Sequence, residues 1–188
     1  MLAQSDLSVV RRATLADEEE LMSLCRLLWA ENGVLTLDED RVKGILQKCL
    51  NPNGGGIIGV IGKPGHIEGM ICLIISQFWY SSDWILEELY SYIHPEHRKS
   101  PNARRLVAFA KAHATALDIP LFIGIISNTR TEAKVRLYRG ELGQPAGAFF
   151  IHNMQWKDNT APSPVNFWSE KGWRNPRGGK RVKQKVSA

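Results

Sequence analysis

The stretch WILEELYSYIHPEHRKSPNARRLVAFAK, Trp84 to Lys111, decides the fold. Its first ten residues, Trp84 to Ile93, are aromatic and apolar and read as a strand. Pro101, a residue suited to the first helical position, then opens a helix with Ala103, Leu106, Val107, Ala110 and Ala114 along one side. Arg98, Lys99, Arg104 and Arg105 crowd the handover between the two. The first N–H groups of a helix lack intrahelical partners, and the helix dipole favours negative charge there, so the junction suits an anion. Taken alone, the same basic cluster also describes a solvated loop.

Working outward, Leu7 to Arg11 alternates as a first strand. Thr14 opens a Thr-x-x-Asp capping pattern ahead of a helix reaching about Glu31. Leu21, Leu24, Cys25 and Leu28 give that helix one apolar face, and Val42, Ile45, Leu46 and Cys49 do the same for a second helix over Asp38 to Leu50. Ile57 to Gly62, a Lys63-Pro64-Gly65 turn and Ile67 to Trp79 form a hairpin. After the opening stretch, Pro120 to Ser127 reads as a buried strand, Thr131 to Tyr138 as a short helix, and GAFFIHNM (Gly147 to Met154) as a closing strand. The order β-α-α-β-β-β-α-β-α-β, with one βαβ crossover around the third helix, predicts an α/β fold in which helices cover a mixed sheet.

Composition bounds the function classes. The chain of 188 residues is long enough for one cored domain, and 44% hydrophobic with 23% charged residues is ordinary for a globular protein. No apolar run approaches the roughly 20 residues that span a bilayer; Met70 to Tyr80 is short and interrupted by Ser76 and Gln77. The opening MLAQSDLSVVRR has no basic region followed by an apolar core, so no signal peptide is expected. Cys25, Cys49 and Cys72 are odd in number and widely spaced, which predicts reduced core thiols in a cytoplasmic protein. His66, His94, His97, His113 and His152 are scattered without ligand spacing, so no metal site is expected. The net charge of +5 is uneven: Lys171 to Ala188 holds seven basic residues and no acidic one, leaving −2 for the rest. The division expected is a folded domain over residues 1–155 and a basic, Pro/Gly-containing arm over 156–188.

The element order together with IHPEHRKSPNA (Ile93 to Ala103) resembles the GCN5-related N-acetyltransferase (GNAT) family. There the fourth strand ends in an apolar-x-Pro segment, and Arg/Gln-x-x-Gly-x-Gly/Ala starts the next helix. Those positions are Arg98, Lys99, Ser100, Pro101, Asn102 and Ala103 here, and the family's later Leu-Tyr pair matches Leu137-Tyr138. The resemblance spans about Leu7 to His152, and LEELYSYIHPEHRKS with SNTRTEAKVRLY is similar to phage and prophage members. It implies a mostly antiparallel central sheet with helices on both faces, and acetyl-coenzyme A (CoA) as co-substrate. The pyrophosphate would lie on backbone N–H groups of the Arg98–Ala103 turn, with Arg98, Lys99 and Arg104 as charged contacts and Ser100 and Asn102 beside them. The pantetheine arm would pair with the edge of the fourth strand at Tyr92 and Ile93. The family's first glycine is Pro101 here, which has no N–H, and the Ser100 hydroxyl stands next to it as a partial replacement.

The same resemblance implies transfer of an acetyl group to a primary amine. A glutamate on the fourth strand would take the ammonium proton and Tyr138 would protonate the leaving thiolate. Strand alternation puts Glu87 and Glu88 on opposite faces, so one of them faces the cleft; Glu87, six residues before Ile93, is preferred. No cysteine stands where the resemblance would place a nucleophile, which implies direct transfer in a ternary complex. Trp79, Tyr80 and Trp84 flank a turn and suit either an acceptor pocket or packing. Two other readings stay open: a catalytically silent CoA-binding or interaction protein, and a binder of nucleic acid or an acidic protein through Lys171–Ala188. The sequence leaves the acceptor amine unidentified and gives no sign of a membrane partner.

Overall fold

The computed structural model describes residues 9–127 and 129–150. Among these the strands are β1 (Val10–Arg12), β2 (Gly56–Lys63), β3 (His66–Gln77), β4 (Trp84–Ile93) and β5 (Leu121–Phe122). The α-helices are α1 (Glu18–Asn32), α2 (Glu39–Leu50), α3 (Asn102–Leu117) and α4 (Thr131–Leu142). The strands lie in the order β1-β2-β3-β4-β5, all antiparallel except β4 with β5, which are parallel and joined through α3. This is the mixed, mostly antiparallel sheet expected.

Helices cover both faces because β3 is apolar on both. Gly69 to Leu73 is one continuous buried run, the pattern of a strand sandwiched between two layers. On one face Ile67, Met70 and Cys72 pack with Leu21, Leu24 and Cys25 of α1 and with Leu46 and Cys49 of α2. On the other, Ile71 and Leu73 pack with Leu106, Phe109 and Ala110 of α3. The approach of α3 requires a bare backbone at one point: a Cβ at Gly59 would lie 2.6 Å from the Phe109 ring.

Local chemistry fixes the ends of these elements. Asp17 is fully buried, accepts the Thr14 N–H at 2.8 Å, and takes both guanidinium N–H groups of Arg11 at 2.7 and 2.8 Å. It thereby ties β1 to the start of α1, and the Arg11 bonds hold its carboxyl down at about 2. Asp38 caps α2 by accepting the Arg41 N–H at 2.9 Å. At the C-terminus of α3 Asp118 adopts a left-handed conformation (φ 54°), and the Ile119 N–H reaches back to the Ala114 carbonyl.

The boundaries depart from expectation in three places. β3 stops at Gln77, two residues short, because Phe78 to Ser81 turns and leaves Trp79 94% exposed. Only Leu121 and Phe122 of the expected strand 120–127 pair with β4, opposite Leu86 and Glu87. Beyond them the chain leaves the sheet, and its apolar residues line a cavity instead of a ladder. Of the expected closing strand, residues 147–150 are exposed and outside any strand, and the remainder lies outside the described residues, as does the arm 156–188. No described helix is long and apolar enough to cross a membrane.

Candidate functional site

The site is built on a break in β4. Cys72 pairs with Tyr90 and Leu73 with Glu88, so Leu89 is an extra residue, a β-bulge. Where β5 parts from β4 beyond Phe122, the bulged strand is left facing two cavities. One, of about 210 Å³, lies between the C-terminal half of β4, the 98–107 turn and helix, and α4. The other, of about 530 Å³, lies between the N-terminal half of β4, the end of β3 and the chain from Phe122 to Ser127. Both are lined by Ser91, Lys134 and Tyr138, which form the wall they share.

At that wall the Tyr138 hydroxyl sits 3.3 Å from Ser91 Oγ and 3.4 Å from Glu88 Oε1. Glu88 Oε2 is buried with no hydrogen-bond partner in the described structure. Burial pushes this carboxyl up to about 7, against the opposing pull of Ser91, Tyr138, the Gly124 backbone and the Lys134 charge. Burial, then the Glu88 charge, raises the Tyr138 phenol, so it holds its proton throughout the neutral range. Lys134 donates to Ser127 Oγ at 2.6 Å, Ser127 donates to Asn32 Oδ1 at 2.8 Å, and burial lowers the Lys134 ammonium. An acid poised near neutrality, beside a protonated phenol between two cavities, can accept one proton and deliver another.

Glu87, the residue preferred from the sequence, and Glu88 stand differently in the structure. Both glutamates line the larger cavity, but Glu88 is the one that meets Tyr138. Counting back from Ile93 in steps of two reaches Ser91, Leu89 and Glu87; the bulge at Leu89 shifts that count by one and turns Glu88 to the face of Ser91.

The proposed cofactor residues divide in two. Tyr92, Ile93, Arg98, Ser100 and Ala103 line the smaller cavity. Position alone leaves the N–H groups of Ala103 and Arg104, in the first turn of α3, without an intrahelical acceptor. Lys99 is exposed and lines neither cavity. Asn102 is buried under the helix start, donating to Glu68 Oε2 at 2.8 Å and accepting from Arg105. Arg104 pairs with Glu141 of α4, 2.8 Å away. Arg98 is itself engaged, to Glu31 and to the Ile93 carbonyl at 3.1 Å, with its guanidinium 5.4 Å from the Tyr92 ring centroid.

Glu31, Ser91, Ser127 and Lys134 were missed in the sequence. Lys134 alone left a signal, standing four residues before Tyr138 and hence on the same face of α4. Nor are the histidines all scattered: His66, Glu68 and His97 converge, as do His94, Glu96 and His97, in two groups that could hold a metal ion. Glu68 Oε2 in the first group already accepts from Asn102 and lies 3.6 Å from His97 Nδ1.

No protein-family model and no curated protein matches the chain. Solved structures do. A predicted acetyltransferase with acetyl-CoA from Clostridium acetobutylicum superposes with a TM-score of 0.62 at 14% identity, over 77% of this chain and 94% of that one. AAC(6')-Iy in complex with a bisubstrate analogue, CoA-S-monomethyl-acetylneamine, gives 0.61 at 13%, over 78% and 97%. A ribosomal-protein-alanine N-acetyltransferase from Brucella melitensis gives 0.58 at 14%, over 76% and 96%. At such identities the likeness speaks for architecture, and it meets the expectation drawn from Ile93 to Ala103: the chain has the fold of these acetyltransferases.

Proposed function

We propose that the chain is an N-acetyltransferase that moves the acetyl group of acetyl-CoA onto a primary amine by direct transfer in a ternary complex. The observation that carries this reading is the shared wall, where Tyr138 lines both cavities and meets Glu88 on the side of the larger one. On this reading the smaller cavity takes the pantetheine end of CoA. The edge of β4 at Tyr92 and Ile93 offers backbone to a pantetheine amide, and the N–H groups of Ala103 and Arg104 offer the helix start to a pyrophosphate. Acetyl-CoA supplies an activated acetyl thioester. Glu88, in its ionised form, takes the proton of the incoming ammonium so that its nitrogen can attack the thioester carbonyl. As the carbon–sulfur bond breaks, Tyr138 gives its proton to the departing thiolate. The tetrahedral adduct gives up its second N–H proton to solvent, so acetyl-amine, CoA thiol and one proton leave, and the proton on Glu88 returns the Tyr138 phenol to its starting state through Ser91 or solvent.

Direct transfer is supported by the thiols. Cys25, Cys49 and Cys72 are all buried in the core beneath α1 and α2, and none lines either cavity. The test is native mass spectrometry of the purified chain for retained CoA, followed by thiol release from acetyl-CoA with an amine panel. Failure to bind CoA would refute the reading at its first step. Binding without thiol release from any amine would leave a CoA-binding protein without transferase activity.

A further inference from the structure

The larger cavity has a chemistry of its own, and what it implies about the acceptor rests on the N-acetyltransferase reading. At about 530 Å³ it has the size of a small-molecule site. Among the described residues its charged lining is confined to Glu87, Glu88 and Lys134. Two carboxylates against one ammonium leave room for a single positive charge. Lys134 stands at the inner end, beside Tyr138, where a second cation would meet like charge.

The rest of the wall is mainly apolar. Leu28, Ile85, Leu89, Phe122, Ile123 and Ile125 face the space. Of the polar lining groups, Gln77 donates to the Ser82 carbonyl, and Asn32, Ser127 and Lys134 are bonded in series, while the Tyr90 hydroxyl is buried with no hydrogen-bond partner in the described structure. At the rim the Phe78 and Phe122 rings meet edge to face, 4.8 Å between centroids, and Phe78 stacks on Tyr80 at 5.6 Å. Trp79 extends this aromatic wall while 94% exposed, and Phe149 lines the same cavity at 78% exposed. Large rings left open to water beside a concave apolar surface mark a contact surface for an apolar body. With Glu88 taken by the first ammonium and Lys134 offsetting Glu87 in net charge, an additional ammonium along this wall would be stripped of water against a mainly apolar lining.

We propose that the acceptor is a monoamine: one primary ammonium, delivered to Glu88 and Tyr138, on an apolar body of about aromatic size that lies along Leu89, Phe122, Phe78 and Trp79. Polycationic amines, aminoglycosides and polyamines alike, are poor acceptors for this cavity.

The experiment uses the full chain and four probes: 2-phenylethylamine, methylamine, spermidine and kanamycin, with thiol release at saturating acetyl-CoA. The result expected is a kcat/KM for 2-phenylethylamine at least about 100-fold above those of both polycations. Trp79→Ala, an exposed position that leaves the core alone, should cut the ratio of kcat/KM for 2-phenylethylamine over methylamine by about tenfold. Binding of 2-phenylethylamine to the CoA-saturated protein, read by saturation-transfer NMR, is the arm that does not depend on turnover. Preference for spermidine or kanamycin overturns the inference and leaves the transferase reading intact. Binding of 2-phenylethylamine that Trp79→Ala weakens, without turnover of any amine, supports the cavity chemistry and overturns the transferase reading. Absence of both binding and turnover of 2-phenylethylamine overturns the inference.

Discussion

Replacing Glu88 with glutamine should stabilise the folded chain at alkaline pH and cripple the reaction. Burial raises this carboxyl from 4.5 to about 7, which corresponds to about 3 kcal/mol of preference for the protonated form. Between those two values the folded chain keeps a proton that the unfolded chain gives up. Stability therefore falls as pH rises through the window, and the full cost is present above about 7. Glutamine does not titrate, so the stability of Glu88→Gln minus that of the wild type should grow by about 3 kcal/mol between about pH 4 and pH 8. Urea unfolding at several pH values measures it, and comparing the two proteins cancels every other titrating group. The rate test uses the same residue in the opposite sense. The ionised fraction of Glu88 rises roughly tenfold from about pH 6 to about pH 8, so the ratio of wild-type to variant rate should rise by the same factor, while the variant loses about 10²- to 10⁴-fold at its worst. Taking that ratio removes the ionisation of the amine itself. Parallel stability curves, or a ratio independent of pH, would refute both the burial argument and the assignment of the base.

Tyr138→Phe should lower kcat by about 10²-fold with little change in the KM for acetyl-CoA, since only the departing thiolate loses its donor; a rise in KM alone would make Tyr138 a cavity wall. Glu31→Gln should tighten CoA by about three- to tenfold by freeing Arg98 and removing a carboxylate from the smaller cavity. Calorimetry should show no such gain for pantetheine, and weaker binding of both would mean that Glu31 holds Arg98 in place. Gly59→Ala should cost about 1–3 kcal/mol in urea unfolding, because its Cβ would meet the Phe109 ring on which α3 rests. An unchanged midpoint would show that α3 has room to shift.

Periodicity made most of the fold legible. The apolar faces of α1 and α2, the β2–β3 hairpin and the strand-to-helix passage from β4 to α3 stand where spacing put them, because each is specified by residues close in sequence. Residues 120–127 were misread for a physical reason. An apolar run looks the same whether it is buried by pairing or left to line a cavity, and after Phe122 it lines one. The preference between Glu87 and Glu88 turned on a smaller point. Alternation correctly separates the two, but the face each takes depends on every residue between them and the anchor at Ile93. Leu89 is an ordinary strand residue, so its bulge leaves no mark in the sequence.

The positive charge at the start of α3 carries the sharper lesson, because most of the side chains expected to meet phosphate there are engaged by carboxylates of the chain itself. Arg98 is held by Glu31, Arg104 by Glu141, and the Asn102 amide by Glu68. Those carboxylates lie between 34 and 67 residues away from their partners, and no local reading of the chain could have matched them. With so much of the side-chain inventory engaged, the anion-binding capacity of the junction rests mainly on the backbone: the Ala103 and Arg104 N–H groups and the dipole of a 16-residue helix behind them. Charge at this junction then serves first to fasten the turn to α1, β3 and α4, which keeps those N–H groups in place. On that argument Arg104→Ala should loosen the packing of α4 on α3 more than it weakens contact with a phosphate. A loss of CoA affinity confined to Arg104→Ala, with α4 unmoved in hydrogen exchange, would return that role to the side chain.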